Sequence, residues 1–281
     1  MNEMLHEKID IWQGLEYTSK KEGFRPVLET YILDGKESRG AVVICPGGGY
    51  GELADREAEP IAIRFLEAGY HAFVLYYSTA PNRQPQQLKD ATRAMCIIRD
   101  NAEKWGVNKD KIASIGFSAG GHLAGSLGTL WNRPYLLDVP GMESGKNKPN
   151  ALILSYPVIT SGEFTHRETF INLLGEDAAP ELFEEYSLEK QVSGDTPPTF
   201  IWHTFADEAV PVENSLLFAN ALRKNNIPFE MHIYPRGRHG LATGDKETCS
   251  EDWFVPNVSA WVKACTNWLE TAMGELEYYK W

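Results

Sequence analysis

Short apolar runs alternate along the chain with longer segments in which apolar residues recur at helical spacing. Continuous apolar runs are typical of strands that are covered on both faces, as in parallel sheets. Six such runs span residues 41–45, 71–77, 111–116, 151–156, 199–203 and 229–234. An earlier run, 27–33, mixes polar and apolar residues, as a half-buried antiparallel strand does. The pattern therefore predicts a mostly parallel central sheet.

The segments between these runs predict the helices of an α/β fold. Helical spacing is found over residues 58–68, 87–105, 213–224 and 258–273, and small residues open a further helix that ends near Leu130. Such alternation predicts helices on both faces of the sheet, with ligands at the carboxyl ends of the strands. The acidic segment 160–198 interrupts the alternation. We interpret it as a short cap insertion in a single domain that spans residues 1–281.

The sequence Gly116-Phe117-Ser118-Ala119-Gly120 follows an apolar strand and precedes a helix. This is the G-x-S-x-G pattern, in which a nucleophilic serine occupies a tight strand-to-helix turn and small neighbours prevent clashes. The turn lifts the serine oxygen above the sheet, near the positive end of the helix. The alternative is a glycine-rich helix start in which Ser118 only caps the helix.

A second glycine-rich turn, Pro46-Gly47-Gly48-Gly49-Tyr50-Gly51, follows an earlier strand. Bare backbone N–H groups in such a turn can stabilise an oxyanion, together with the N–H of Ala119 after the serine. A phosphate-binding loop is excluded, because no G-K-[ST] and no G-x-G-x-x-G opens a helix here. A flexible loop without function is the remaining alternative.

Asp207 follows the fifth apolar run, and His239 follows the sixth. A serine nucleophile needs an imidazole to accept its proton and a carboxylate to orient that imidazole. The chain order Ser118, Asp207, His239 is the order in which successive strand ends supply these groups. Glu208 is an alternative acid, because it is adjacent to Asp207.

The other histidines have weaker claims to catalysis. His203 lies within an apolar run and is interpreted as a core histidine, whereas His122 is expected to brace the serine turn or the cap. His232 lies in the last strand, and no motif supports His6, His71 or His166. Tyr50, Tyr156 and Pro157 stand at strand ends and are expected to line the substrate pocket.

Composition narrows the classes of function. The 281 residues are 43% hydrophobic and carry a net charge of −12, which is typical of a globular protein and argues against nucleic acid or an anionic membrane as a partner. The cysteines, Cys45, Cys96, Cys249 and Cys265, form no C-x-x-C pair and are expected to be reduced. No histidine spacing indicates a metal site. The N-terminus has no signal-peptide pattern, so the cytoplasm is the expected compartment.

These residues resemble the α/β-hydrolase superfamily, and more narrowly its carbohydrate-esterase-like branch of acetyl esterases, acetylxylan esterases and bifunctional feruloyl and acetyl xylan esterases. The matching motifs lie between about residues 40 and 270, at 43–50, 116–124, 196–200, 207–211 and 234–240. Lipase-like relatives carry a histidine before the three glycines. Pro46 stands in that place here, which favours the sugar-esterase branch.

The resemblance implies Ser118 as nucleophile, His239 as base, Asp207 as its orienting acid, and Gly48, Gly49 and Ala119 as oxyanion donors. It implies a serine esterase without cofactor or metal that removes acetyl groups from a sugar or xylo-oligosaccharide. A peptidase of the prolyl-oligopeptidase type shares the triad order and is one alternative. A non-catalytic binding protein on the same scaffold is another. Oligomeric state is left open, with a homo-oligomer as one outcome.

Overall fold

The computed structural model of the protein describes residues 5–35 and 37–274. Within them, eight strands form one sheet: β1 (Lys8–Asp10), β2 (Val27–Tyr31), β3 (Arg39–Cys45), β4 (His71–Tyr76), β5 (Val107–Phe117), β6 (Ala151–Ser155), β7 (Thr199–Thr204) and β8 (Phe229–Tyr234). The predicted mostly parallel α/β sheet is confirmed. The three-residue β1 was not predicted, because Lys-Ile-Asp is too short to show a period.

The strand order in the sheet is β1-β2-β4-β3-β5-β6-β7-β8. β1 pairs with β2 and β2 with β4 in antiparallel register, while every pairing from β4 through β3 to β8 is parallel. The carboxyl ends of β3, β5, β7 and β8 therefore meet at one edge of the sheet. The loops that follow these four strands carry the candidate catalytic residues.

The described residues contain eight α-helices: α1 (Glu59–Glu67), α2 (Gln86–Asp100), α3 (Ala102–Trp105), α4 (Ala119–Thr129), α5 (Arg167–Leu174), α6 (Pro180–Glu185), α7 (Glu213–Lys224) and α8 (Ala260–Ala272). The helix predicted over 87–105 is wrong as a single element. It divides at Asn101 (φ −101°, ψ 11°), whose side chain and backbone N–H both donate to the carbonyl of Ile97 (2.8 and 3.1 Å).

Two apolar clusters lie on opposite faces of the sheet. Alternate residues of β3 show the division, since Val43 belongs to the cluster beneath α2, α4 and α7, and Val42 to the cluster beneath α1 and α8. The cap predicted over 160–198 lies between β6 and β7 and contains α5 and α6. Within the described residues, no helix is long and apolar enough to cross a bilayer.

Candidate active site

Ser118 occupies the turn between β5 and α4, with φ 53° and ψ −120°. This is strained backbone for a residue with a side chain, and the surrounding packing has to hold it. A Cβ atom on Gly116 would overlap the carbonyl of Gly120, and a Cβ on Gly120 would overlap the carbonyl of Cys45 in β3. The two glycines of the motif are therefore required, because β3, β5 and α4 approach each other there without space for side chains.

Ser118, His239 and Asp207 form a hydrogen-bonded chain. The Nδ1 of His239 lies 2.6 Å from Oδ2 of Asp207, and its Nε2 lies 2.7 Å from Oγ of Ser118. A carboxylate only accepts hydrogen bonds, so Nδ1 carries the proton and Nε2 accepts the Ser118 hydroxyl. This is the tautomer in which an imidazole can take a proton from serine.

Asp207 is buried with its side chain wholly out of water. Its Oδ1 accepts the backbone N–H groups of Ala209 (3.0 Å) and Val210 (2.9 Å). Burial would raise the pKa of Asp207, but hydrogen bonds from His203, His239 and Val210 together hold it well below its usual value. Glu208, the alternative acid, is exposed to solvent.

His203 is fully buried at the end of β7 and touches the same carboxylate. Its Nε2 donates to the carbonyl of Val210 (3.0 Å) and lies 3.3 Å from Oδ2 of Asp207. Its Nδ1 lies 2.7 Å from Oγ of Ser215 in α7. The predicted core histidine thus has hydrogen-bonding partners, and it also holds the turn that encloses the acid.

The glycine turn after β3 lies directly against Ser118. A Cβ atom on Gly47 would be only 3.0 Å from Cβ of Ser118. Gly48 (φ 123°) and Gly49 (φ 60°) adopt backbone angles that side chains disfavour. Among the described residues, the N–H groups of Gly48, Gly49 and Ala119 donate to no protein acceptor. These are backbone donors of the kind that can bind an oxyanion.

The three residues expected to line the pocket lie beneath the site instead. Tyr50 and Tyr156 are 0% and 2% exposed, and Pro157 is buried against Gly121 of α4. The hydroxyl of Tyr50 lies 3.0 Å from Nδ1 of His122. Each strand end turns inward, and these side chains fill the space under the catalytic loops, so that their contact with a substrate stays a prediction.

His122 joins the glycine turn to the cap. Its Nε2 lies 2.8 Å from the carbonyl of Tyr186, so Nε2 donates and Nδ1 accepts the hydroxyl of Tyr50. Complete burial lowers the pKa of His122 to about 4. The neutral ring therefore braces both the serine helix and the cap, in agreement with the expectation from sequence.

Helix α5 of the cap supplies neighbours that the sequence did not indicate. Asn172 donates to the carbonyl of Gly49 (3.0 Å), and Oγ1 of Thr169 would lie 3.8 Å from a Cβ on Gly49. His166, just before α5, hydrogen-bonds Thr169 (2.8 Å). Burial and then the charge of the nearby His239 lower the pKa of His166. No motif marks these residues, because their spacing is that of any amphipathic helix.

Comparisons with known proteins identify the family of the chain. The BD-FAE family model matches residues 28–222. The chain is 42% identical over 248 residues to endo-1,4-beta-xylanase B of Butyrivibrio fibrisolvens, covering 85% of this chain and 38% of that protein. It is 33% identical over 219 residues to the acetylxylan esterase of Xylanibacter ruminicola, covering 76% and 43%. The chain thus spans about two fifths of the length of these relatives.

Solved structures match over nearly the whole chain. The acetyl ester-xyloside bifunctional hydrolase of Caldicellulosiruptor lactoaceticus is 38% identical with a TM-score of 0.84, covering 94% of this chain and 96% of that chain. A carboxylesterase of Lactobacillus plantarum is 25% identical with a TM-score of 0.79, covering 98% and 100%. The expected α/β-hydrolase fold and the expected resemblance to its carbohydrate-esterase branch are confirmed. The chain belongs to the BD-FAE family of α/β hydrolases.

Proposed function

We propose that the protein is a serine esterase that hydrolyses short-chain carboxylic esters and removes acetyl groups from xylo-oligosaccharides or related sugars. The observation that carries this proposal is the hydrogen-bonded chain Asp207–His239–Ser118 beside the N–H groups of Gly48 and Gly49, which donate to no acceptor among the described residues. These groups have the geometry that acyl transfer requires.

In the proposed reaction, Oγ of Ser118 attacks the ester carbonyl while Nε2 of His239 takes the hydroxyl proton. The negative charge that develops on the carbonyl oxygen is stabilised by the N–H groups of Gly48, Gly49 and Ala119. His239 then returns the proton to the leaving sugar hydroxyl, and an acyl-enzyme remains. Water, deprotonated by His239, releases the carboxylic acid and restores Ser118. Asp207 holds the imidazole in the required tautomer throughout.

The sugar substrate is supported by the activities for which two similar proteins are named. Two proteins that are 33% and 38% identical are called an acetylxylan esterase and an acetyl ester-xyloside hydrolase. These names favour an acetylated sugar over a peptide, so the prolyl-oligopeptidase-type alternative is not preferred. The cytoplasmic location, the single domain and a homo-oligomer stay predictions.

The test is a panel of p-nitrophenyl esters of increasing chain length, measured beside acetylated xylo-oligosaccharides. We expect p-nitrophenyl acetate to be the ester that is turned over fastest, and free acetate to be released from the oligosaccharide. Ser118→Ala should abolish both reactions and fluorophosphonate labelling. Wild-type turnover in the Ser118→Ala variant would refute the mechanism. Cleavage of peptide p-nitroanilides at a rate comparable with the esters would refute the substrate class.

A further inference from the structure

Glu57 carries a buried carboxylate that the proposed reaction does not use. It closes the short 3-10 helix Asp55–Glu57 and is 1% exposed, whereas the two residues before it face solvent. Removing a carboxylate from water is costly unless hydrogen bonds replace the lost hydration. Here Oε2 accepts the N–H of Gly47 (2.7 Å), and Oε1 accepts the hydroxyl of Tyr156 (2.7 Å).

The bond to Gly47 fixes the glycine turn at its base. Gly47 directly precedes Gly48 and lies against Ser118, and a Cβ atom on Gly47 would be 2.6 Å from Oε2 of Glu57. The carboxylate thus contacts the backbone of the turn directly, and there is no space for a side chain at position 47. The direction of the following N–H groups depends on this contact.

Tyr156 extends the same connection to the loop that carries His239. Its hydroxyl accepts the N–H of Ala242 (3.0 Å), and its ring meets the ring of His239 edge-on at a centroid distance of 5.0 Å. Arg56 also contacts this loop, because its Nε donates to the carbonyl of Gly240 (2.9 Å). Nη2 of Arg56 is 3.9 Å from Oε1 of Glu57.

We propose that Glu57 and Tyr156 are positioning residues that hold the oxyanion-binding turn and the His239 loop at a fixed separation. Neither touches the substrate. Both act by keeping the backbone donors and the imidazole in place while charge develops, which is when a small displacement costs most in rate. This inference rests on the proposed function.

The first test compares kcat and KM for p-nitrophenyl acetate in Tyr156→Phe, Glu57→Gln and the double variant. We expect each single variant to lower kcat roughly tenfold and to change KM less than about threefold. Because both residues belong to one hydrogen-bonded network, kcat of the double variant should also fall roughly tenfold rather than by the product of the two losses. Asp55→Asn, which removes the same charge from the exposed start of the same short helix, should leave kcat unchanged.

A second measurement separates positioning from general loss of structure. Phenylboronic acid forms a tetrahedral adduct with a serine nucleophile, so its affinity should fall in parallel with kcat, roughly tenfold, at an unchanged melting temperature. Values of kcat within twofold of wild type, or losses that multiply in the double variant, would overturn the inference. Should Glu57→Gln fail to fold, Tyr156→Phe decides alone, because it removes one oxygen and keeps the ring.

Fluorophosphonate labelling distinguishes this inference from the proposed function. A wild-type protein that labels at Ser118 but does not cleave esters refutes the esterase proposal, and slower labelling of Tyr156→Phe then still supports the positioning role of Tyr156. Equal labelling rates in wild type and Tyr156→Phe refute that positioning role. A wild-type protein that does not label at all overturns both.

Discussion

The two ends of the parallel strands are both rich in polar residues, but they use them differently. At the amino ends, a cleft of about 610 Å³ is lined by charged side chains, and Arg99 donates to the carbonyls of Lys109 (3.2 Å) and Lys148 (2.8 Å). At the carboxyl ends, Gly48 and Gly49 direct N–H groups away from every described acceptor. Arg99 at the amino ends is thus hydrogen-bonded to the chain itself, whereas the N–H groups of Gly48 and Gly49 at the carboxyl ends remain available to a substrate.

The comparison teaches that preorganised donors, rather than the volume of a cleft, mark the candidate site. Right-handed crossovers bring the loops after β3, β5, β7 and β8 to the same edge. Strained backbone is found there as well, at Ser118, Tyr50 and Tyr156. Four experiments test this difference between the two ends.

The largest expected effect is that of Asp207→Asn. The amide would present an N–H to Nδ1 of His239 and so favour the wrong tautomer, which should lower kcat for p-nitrophenyl acetate by about 10⁴-fold. Asp110→Asn makes the same change at the amino ends, on an exposed residue, and should leave kcat within about twofold. An Asp207→Asn variant that keeps a tenth of wild-type kcat would contradict the role of the acid.

The second experiment compares two glycine substitutions. Gly120→Ala places a methyl group on the carbonyl of Cys45 and should lower the free energy of unfolding by about 3 kcal/mol or more. Gly194 lies in the cleft at the amino ends, where an added methyl group meets nothing within 4 Å. Gly194→Ala should therefore change the free energy of unfolding by less than about 0.5 kcal/mol. Urea unfolding measures both, and equal losses would show that the serine turn is not tightly packed.

The third experiment follows stability with pH. The pKa of His122 is about 4 in the folded protein against 6.5 for an ordinary histidine, so between these values the unfolded chain binds a proton that the folded chain does not. Stability is therefore complete above about pH 6.5 and falls as the pH drops towards 4, by roughly 2–3 kcal/mol from this residue. The free energy of unfolding, measured with urea, should differ less between pH 7 and pH 4.5 in His122→Phe than in wild type. An equal difference would assign the loss to other groups.

The smallest expected effect is that of His203→Phe, which keeps a ring and removes both nitrogens. Without His203, the carboxylate of Asp207 becomes more basic and binds protonated His239 more strongly, because one of the contacts that lower the pKa of Asp207 is lost. The acid limb of kcat/KM should move to higher pH, and kcat should fall roughly tenfold. His232→Gln, on the neighbouring strand, should leave the profile unchanged.

Elements made of consecutive residues could be predicted well. The six apolar runs lie in parallel strands of the sheet, although β8 at the edge is only half-buried, and the motif around Ser118 falls on the turn between β5 and α4. Periodicity and tight turns are encoded within a few neighbouring positions. The single helix over 87–105 is interrupted for a local reason, since the backbone of Asn101 leaves helical angles and apolar spacing does not reveal such a break. The inward placement of Tyr50 and Tyr156 was not predicted, since spacing does not tell whether a strand end faces solvent or the core.

The fold class, the chain order Ser118, Asp207, His239, and the glycine turn that follows β3 could all be derived from local sequence patterns. The polar residues that support these groups became apparent only from contacts between distant parts of the chain. Glu57 meets Tyr156 across 99 positions of the chain, and Asn172 meets Gly49 across 123. Such contacts leave no periodic pattern, because they depend on how distant loops converge at one edge of the sheet, and that convergence is set by the packing of the whole domain.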